Sequence, residues 1–287
     1  MSTIKTNPRI LLTGSTGQVG GVLLNMLPMM TDELWAPTRQ ELDLYSPESI
    51  AAAVQRFNPD IIINPAAYTA VDQAEDDVEN CYSVNETAVK HLAQALKHTN
   101  PNGVFIHYST DYVFDGTKAT PYLESDSTNP QSVYGKSKLA GEQALANTGI
   151  RHLIFRSSWV YSDFGKNFVN TIKQLAVERK ELTIVADQIG APTSALEIAT
   201  VTLLALKHLQ MTPTQSAEPL WGIYNLTGKE TLSWYAFAQK IVTQMKLTSP
   251  PKIKPQLTKD YPFKAPRPLN SRLSGEKIKI FTGLPQG

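Results

Sequence analysis

Short apolar runs alternate along this chain with stretches whose apolar positions return every three or four residues. Ile10-Leu11-Leu12, Ile61-Ile62-Ile63-Asn64, Val104-Phe105-Ile106-His107-Tyr108 and His152-Leu153-Ile154-Phe155-Arg156 are nearly continuous apolar runs. Strands buried on both faces have this pattern, as in a parallel sheet covered by helices. A second strand is expected within Glu33-Leu34-Trp35-Ala36-Pro37-Thr38-Arg39, with Pro37 ending it or holding it near an edge. The segments between read as helices: through Val22, Leu23, Met26 and Leu27, from Ser46 to about Phe57, from about Val78 to His98, and from near Ser132 to about Ala146. Ser46-Pro47-Glu48 carries a start signal, with an N-cap serine, a first-turn proline and an early acid.

The second half is less regular. Helices are expected from Asn167 to Arg179, from Ala195 to about Leu209 and from Ser233 to Lys246. Strands are expected at Leu182–Val185 and Gly222–Leu226, with a linker-like stretch from Thr212 to Pro219 and a proline-rich tail. Residues 115–131 are rich in Gly, Pro, Ser, Thr, Asp and Asn and predict a long loop, of a length that is usually functional.

The first strand runs into Thr13-Gly14-Ser15-Thr16-Gly17-Gln18-Val19-Gly20 and then a helix. Gly14, Gly17 and Gly20 are a spacing variant of the dinucleotide fingerprint: a tight turn, close backbone approach to a pyrophosphate, and a helix N-terminus aimed at phosphate. With alternating strands and helices, this predicts an α/β protein of Rossmann type, a doubly wound parallel sheet with a smaller C-terminal substrate-binding domain. Residues 1–157 are assigned to the NAD(P)-binding domain, rejoined by about 184–226, and 158–183 with 227–287 to the substrate-binding portion. At the end of the second strand, an acid would bind a ribose 2′-OH and an arginine a 2′-phosphate. Thr38-Arg39 with no acid at that point leans towards NADPH, with NADH possible; a solvated loop arginine is the other reading. Asp43 stands where it can reach an adenine, and the small residues of 65–72 suit a cofactor lying across the strand ends.

Tyr134 and Lys138 lie four apart, on one face of a helix. A lysine ammonium beside a phenol favours phenolate, so Tyr134 is expected to have a lowered pKa and to serve as a proton donor to a ketone oxygen. Thr110, at the end of the fourth apolar run, can offer a hydroxyl to the same carbonyl. Trp159 lies at the same sheet edge, as a core residue or a ligand contact.

Composition narrows the partners. The chain has 287 residues, a charged fraction of 18% and a net charge of +1. No broad field recruits nucleic acid or an anionic membrane, so an anionic ligand must be caught locally. The one cysteine, Cys81, rules out an internal disulfide and fits a reducing compartment. No apolar run approaches a membrane span and no signal-peptide core is seen, so a cytoplasmic protein is expected. The five histidines are scattered and read as structural, and no metal-ligand cluster is apparent.

Ser109-Thr110-Asp111-Tyr112-Val113-Phe114, Tyr134-Gly135-Lys136-Ser137-Lys138-Leu139-Ala140-Gly141-Glu142 and Arg156-Ser157-Ser158-Trp159-Val160-Tyr161 carry a resemblance. So do Gly17-Gln18-Val19-Gly20, Asp187-Gln188-Ile189-Gly190-Ala191-Pro192-Thr193 and Arg267-Pro268-Leu269-Asn270-Ser271-Arg272-Leu273. The chain resembles the extended short-chain dehydrogenase/reductases, and among them the dTDP-4-dehydrorhamnose reductase family. The resemblance implies reduction of the C4 ketone of a dTDP-4-dehydro-6-deoxy sugar by NADPH or NADH. It implies Tyr134 as proton donor, Lys138 holding the nicotinamide ribose and tuning the phenol, and Thr110 bonding the ketone oxygen. Asp111 and Trp159 would contact the sugar, and Gly17, Gln18, Val19, Asp43, Leu44, Ala67, Tyr68, Thr69 and Tyr108 would line the cofactor. Some members dimerise through magnesium held by a glutamate in the first helix. Val22 stands near that position, so Mg2+ is not supported and a homodimer remains possible. Sugar-nucleotide 4,6-dehydratases share the fold but follow the threonine with Asp-Glu, where this chain has Asp111-Tyr112. A non-catalytic alternative is an NADP-binding regulatory subunit of the methionine-adenosyltransferase type.

Overall fold

The computed structural model describes residues 3–283. In chain order the first half gives β1 (Ile10–Leu12), α1 (Gln18–Met26), β2 (Leu34–Trp35), α2 (Pro47–Phe57), β3 (Ile61–Asn64), α3 (Val78–Tyr82), α4 (Ala88–Thr99), β4 (Val104–Thr110), α5 (Val133–Thr148) and β5 (Arg151–Ser157). The second half gives β6 (Val160–Tyr161), α6 (Phe168–Glu178), β7 (Glu181–Val185), β8 (Ile189–Gly190), β9 (Thr193–Ser194), α7 (Ala195–Met211) and β10 (Gly222–Asn225). It closes with β11 (Leu232–Ser233), α8 (Trp234–Gln244), β12 (Lys252–Gln256) and α9 (Glu276–Thr282).

Six of these strands form one sheet in the order β10-β5-β4-β3-β1-β2, and every pairing in it is parallel. Its strands are buried because both faces are covered. On one face Ile10, Leu12, Ile63, Ile106 and Phe155 pack with residues of α1, α7 and α9. On the other Leu11, Ile62, Phe105 and Ile154 pack with residues of α2, α4 and α5. Strand order reverses between β1 and β3, and at such a switch point ligands bind beyond the carboxyl ends of the strands.

A smaller lobe is built on α6, α8 and the parallel pair β7–β12, with Val169, Ile172, Phe237 and Ile241 at its centre. Residues 181–185 therefore belong to this lobe's sheet, while α7 and β10 lie with the large sheet. The tail crosses back, so that Ile278 and Phe281 of α9 are buried against the large sheet's core.

Two elements differ from the sequence pattern for physical reasons. β2 stops at Trp35, short of Pro37, which has no N–H for the ladder. The helix expected from 78 to 98 is broken into α3 and α4 by a π-helical turn, Ser83–Thr87, that carries the buried Asn85. Such turns are frequent at functional sites.

Candidate functional site

The strand ends place the candidate residues. After β1, Gly14 takes a left-handed φ of +57°, and a Cβ there would lie 2.7 Å from the Ala66 nitrogen in the loop after β3. A Cβ on Gly20 would come within 2.0 Å of the Gly14 carbonyl oxygen, so α1 can seat against the turn only without one. Gly17 caps α1, no side chain bonds the helix's free N–H groups, and its first turn holds no acid. The turn thus fits an anionic group approaching backbone. Gln18 points elsewhere: its Oε1 accepts from Ser162 Oγ at 3.0 Å and Asn167 Nδ2 at 2.9 Å, tying the turn to the start of α6. Val19 and Val22 both pack into the large sheet's core.

The far end of the candidate cofactor groove lies past β2. Arg39 is exposed. Glu41 folds back so that its Oε2 accepts from Thr38 N at 2.8 Å and Thr38 Oγ1 at 2.9 Å. These bonds hold its carboxyl below the ordinary range, so a carboxylate does stand at this turn, two residues beyond Arg39. The sequence pattern alone did not reveal that Glu41 turns back onto Thr38. Asp43 Oδ1 accepts from Tyr45 N at 2.9 Å, and Leu44 packs against the helices of the α2 face. Ala67 and Tyr68 are half-buried and Thr69 exposed in the loop after β3. Asn85 clamps that loop from the π turn: Oδ1 accepts from Tyr68 N at 2.9 Å, and Nδ2 donates to Tyr68 O at 3.1 Å and Ser137 Oγ at 3.0 Å. One amide thereby fixes the loop to α5.

Thr110 ends β4, paired in register with Ser157 of β5. Ser132 caps α5, its Oγ accepting from Gly135 N at 3.1 Å, which sets where Tyr134 and Lys138 leave the helix. The Tyr134 phenol lies by the Thr110 hydroxyl, which favours its ionised form, and its ring meets Tyr112 edge-on with centroids 5.6 Å apart. Burial raises the phenol's pKa, and the Thr110 contact offsets this only in part, with Asp111 adding to the rise. This direction is opposite to the one expected from the Tyr-Lys spacing. The reason is geometric: Lys138, 2% exposed, turns its Nζ to the Tyr108 carbonyl at 2.6 Å and to His107 Nε2 at 3.3 Å. Burial draws the Lys138 pKa down to about 8, with Glu142 opposing. Tyr108 contributes its carbonyl to Lys138 while its hydroxyl pairs with Thr202 Oγ1 of α7 at 2.8 Å.

Asp111 is 3% exposed, and its Oδ2 and the Ser157 Oγ are buried without partners among the described residues, two atoms a polar ligand would satisfy. Burial pushes the Asp111 carboxyl up to about 7, opposed by the nearby Ser271 side chain, its own backbone N–H and the Thr110 hydroxyl, which donates to Oδ1 at 3.2 Å. Ser271 arrives on the returning tail, whose Leu269 and Ser271 backbones bond Ile189 at 2.8 and 2.7 Å. Arg267 anchors that tail, its Nη2 donating to Asp72 Oδ2 at 2.6 Å. Because the folded carboxyl holds its proton more tightly than the unfolded one (3.8), stability falls as pH rises from about 4 to about 7. Asp111→Asn should therefore be more stable than wild type at pH ~8 and lose that advantage near pH ~4, while turnover drops. Thermal melts at the two values check this; an equal Tm difference at both would contradict it.

Trp159 has φ +49°, a strained backbone for a bulky residue and a conformation that concentrates at functional sites. Its indole stacks on Trp234 with centroids 3.5 Å apart and planes 11° apart, joining the two lobes where β5 ends. Three supports escaped the sequence reading: Ser271, the buried pair Glu142–Arg156, and His107. Each acts through a contact between residues far apart in the chain, and His107 was read as structural for want of a partner.

With this geometry in place, comparison with known proteins gives a consistent result. Residues 8–286 match the family model described as the RmlD substrate binding domain. A dTDP-4-dehydrorhamnose reductase of Burkholderia thailandensis is 45% identical over 96% of this chain and 93% of its own length. A crystal structure of the Clostridium acetobutylicum dTDP-4-dehydrorhamnose reductase superposes with TM-score 0.87 at 34% identity, over 96% of this chain and 92% of that one. The Bacillus anthracis dTDP-4-dehydrorhamnose reductase, solved in complex with NADP, does so with TM-score 0.86 at 32% identity, over 96% and 92%. Among the described residues no helix is long and apolar enough to cross a membrane, and no three potential metal ligands cluster. The chain belongs to the RmlD substrate-binding-domain family, that of the dTDP-4-dehydrorhamnose reductases.

Proposed function

We propose that this protein reduces the C4 ketone of dTDP-4-dehydrorhamnose to the alcohol of dTDP-L-rhamnose, acting in the cytoplasm. The observation that carries the reading is the Thr110 hydroxyl, Tyr134 phenol and Lys138 ammonium gathered at the ends of β4 and α5, in a chain of this family. The glycine turn, the uncapped N-terminus of α1 and the loop after β3 fit NADPH, the cofactor suggested by the NADP-bound relative. When bound, the nicotinamide supplies the hydride. Thr110 orients the ketone oxygen, and Tyr134 delivers a proton to it. A phenol with a raised pKa is fully protonated at neutral pH, so the proton is in place, and the alkoxide forming on the sugar is basic enough to take it. Lys138 holds a positive charge beside the reacting atoms, and Asp111 and Trp159 fix the deoxysugar.

The large sheet carries the cofactor, and the smaller lobe with the returning tail carries the sugar. Loss of NADPH absorbance on mixing with dTDP-4-dehydrorhamnose is the deciding assay. A protein that binds NADPH and consumes none would instead be a regulatory subunit, a reading that none of the relatives named above supports. Mass in solution measured with and without EDTA reads the assembly, a homodimer or a monomer, and its dependence on magnesium.

Arg39 sets the cofactor preference, since its guanidinium can pair with a 2′-phosphate. Arg39→Ala should raise the KM for NADPH more than that for NADH. Equal changes for both would assign the preference elsewhere.

A further inference from the structure

Behind Lys138 lies a buried line of polar side chains that the reduction does not use directly. Thr13 Oγ1 lies 2.5 Å from Asn64 Oδ1, Asn64 Nδ2 lies 3.3 Å from His107 Nδ1, and His107 Nε2 lies 3.3 Å from Lys138 Nζ. These residues sit on β1, β3, β4 and α5, and are 2%, 2%, 0% and 2% exposed. The line begins one residue before Gly14 of the glycine turn and ends on the lysine.

We propose that His107 is a positioning residue for Lys138: as a neutral imidazole protonated on Nδ1, it accepts from the lysine ammonium at Nε2, with the tautomer fixed by the Asn64 amide. The inference rests on the proposed role of Lys138, but its geometry does not. An ammonium has three N–H donors and no lone pair, so the ring nitrogen facing it must be the acceptor. The single imidazole proton then lies on Nδ1 and needs an acceptor, which Asn64 supplies when its Oδ1 faces the ring. Its Nδ2 then faces the Thr13 hydroxyl, which turns from donor to acceptor as the 2.5 Å contact opens by a few tenths of an ångström to an N–H···O length. A half-turn of the amide exchanges O and N and leaves the two positions they occupy nearly unchanged.

The surroundings hold His107 neutral. Burial lowers its pKa well below the ordinary value, with the Lys138 charge second. Around Lys138 stand Glu142 on α5, Cys81 on α3 and His107 on β4, with Arg156 of β5 taken up by Glu142 and His152 of β5 the least of the groups that act on His107. Glu142 spends both oxygens on Arg156, at 2.9 and 2.6 Å, so the Tyr108 carbonyl and His107 are the direct acceptors for the ammonium.

Removing an acceptor from a buried ammonium disfavours its charged form. His107→Leu should therefore move the basic limb of the kcat–pH profile to lower pH by about one unit, and the misplaced lysine should separately lower the kcat plateau about 10- to 100-fold. His107→Gln, which restores an acceptor oxygen, should recover most of both. The tautomer is read without turnover by 15N NMR of imidazole-labelled wild-type protein, where Nε2 should be unprotonated and Nδ1 protonated. A proton on Nε2, or a His107→Leu enzyme within about threefold of wild type with an unmoved basic limb, would overturn the inference. If His107→Leu does not fold, the NMR tautomer and the Gln variant still decide. A wild-type protein inactive on the nucleotide sugar would sink the functional reading and leave the NMR result standing.

Discussion

Tyr134→Phe should lower kcat by about 10²- to 10⁴-fold with NADPH affinity little changed, the contribution expected of a general acid. Hydride arriving at a ketone carbon leaves negative charge on the oxygen, which needs a proton as it forms. Thr110 is the hydroxyl beside the phenol, but an alkyl alcohol is far less acidic and cannot replace it. Phenylalanine keeps the ring, so the edge-on contact with Tyr112 at 5.6 Å survives and the start of α5 should not move. The loss is then chemical and not conformational. Steady-state kcat and cofactor affinity by fluorescence separate the two. A variant within about threefold of wild type would mean the proton comes from elsewhere.

The raised pKa of Tyr134 changes how this donor works. A phenol acidified in advance by lysine would be partly ionised at neutral pH and partly unable to donate. Here burial keeps the proton on, and the charge at Lys138 is held back by the Tyr108 carbonyl and His107. Since burial brings the lysine down to about 8, its ammonium is present below that pH and lost above it. The rate should accordingly fall as pH rises through about 8, while Tyr134 stays protonated throughout.

What the sequence disclosed follows the range of the forces involved. Ile10–Leu12, Ile61–Asn64 and Val104–Thr110 were legible because a strand buried on both faces must be apolar along its length. Gly14 and Gly20 were legible because backbone approach leaves no other residue possible. β6, β8, β9 and β11 were not, since two-residue strands exist only through partners distant in the chain. β12 was hidden by Pro255, which an exposed two-stranded ladder tolerates. At the site, the identities of Thr110, Tyr134 and Lys138 were visible, but the direction of the lysine head group was not. It depends on His107 and the Tyr108 carbonyl, on a strand some thirty residues upstream.

Glu142→Ala should cost about 3–5 kcal/mol of stability, the largest expected effect outside the chemistry. Glu142 and Arg156 are 3% and 2% exposed and form a two-point pair, Nε to Oε1 at 2.9 Å and Nη2 to Oε2 at 2.6 Å. The pair bolts α5 to β5, one turn beyond Lys138, and the guanidinium lies 5.2 Å above the Phe114 ring. Arg156 Nη1 already has no partner among the described residues, so removing the carboxylate leaves an entire buried guanidinium uncompensated. The penalty comes from that stranded charge more than from any net attraction in the intact pair. Replacing both, Glu142→Leu with Arg156→Met, removes the charge as well as its partner and should restore most of the loss. Urea unfolding of the two single variants and the double gives the coupling directly. If Glu142→Ala costs less than about 1 kcal/mol, water or local rearrangement compensates Arg156, and the helix bearing Tyr134 and Lys138 is held by packing alone.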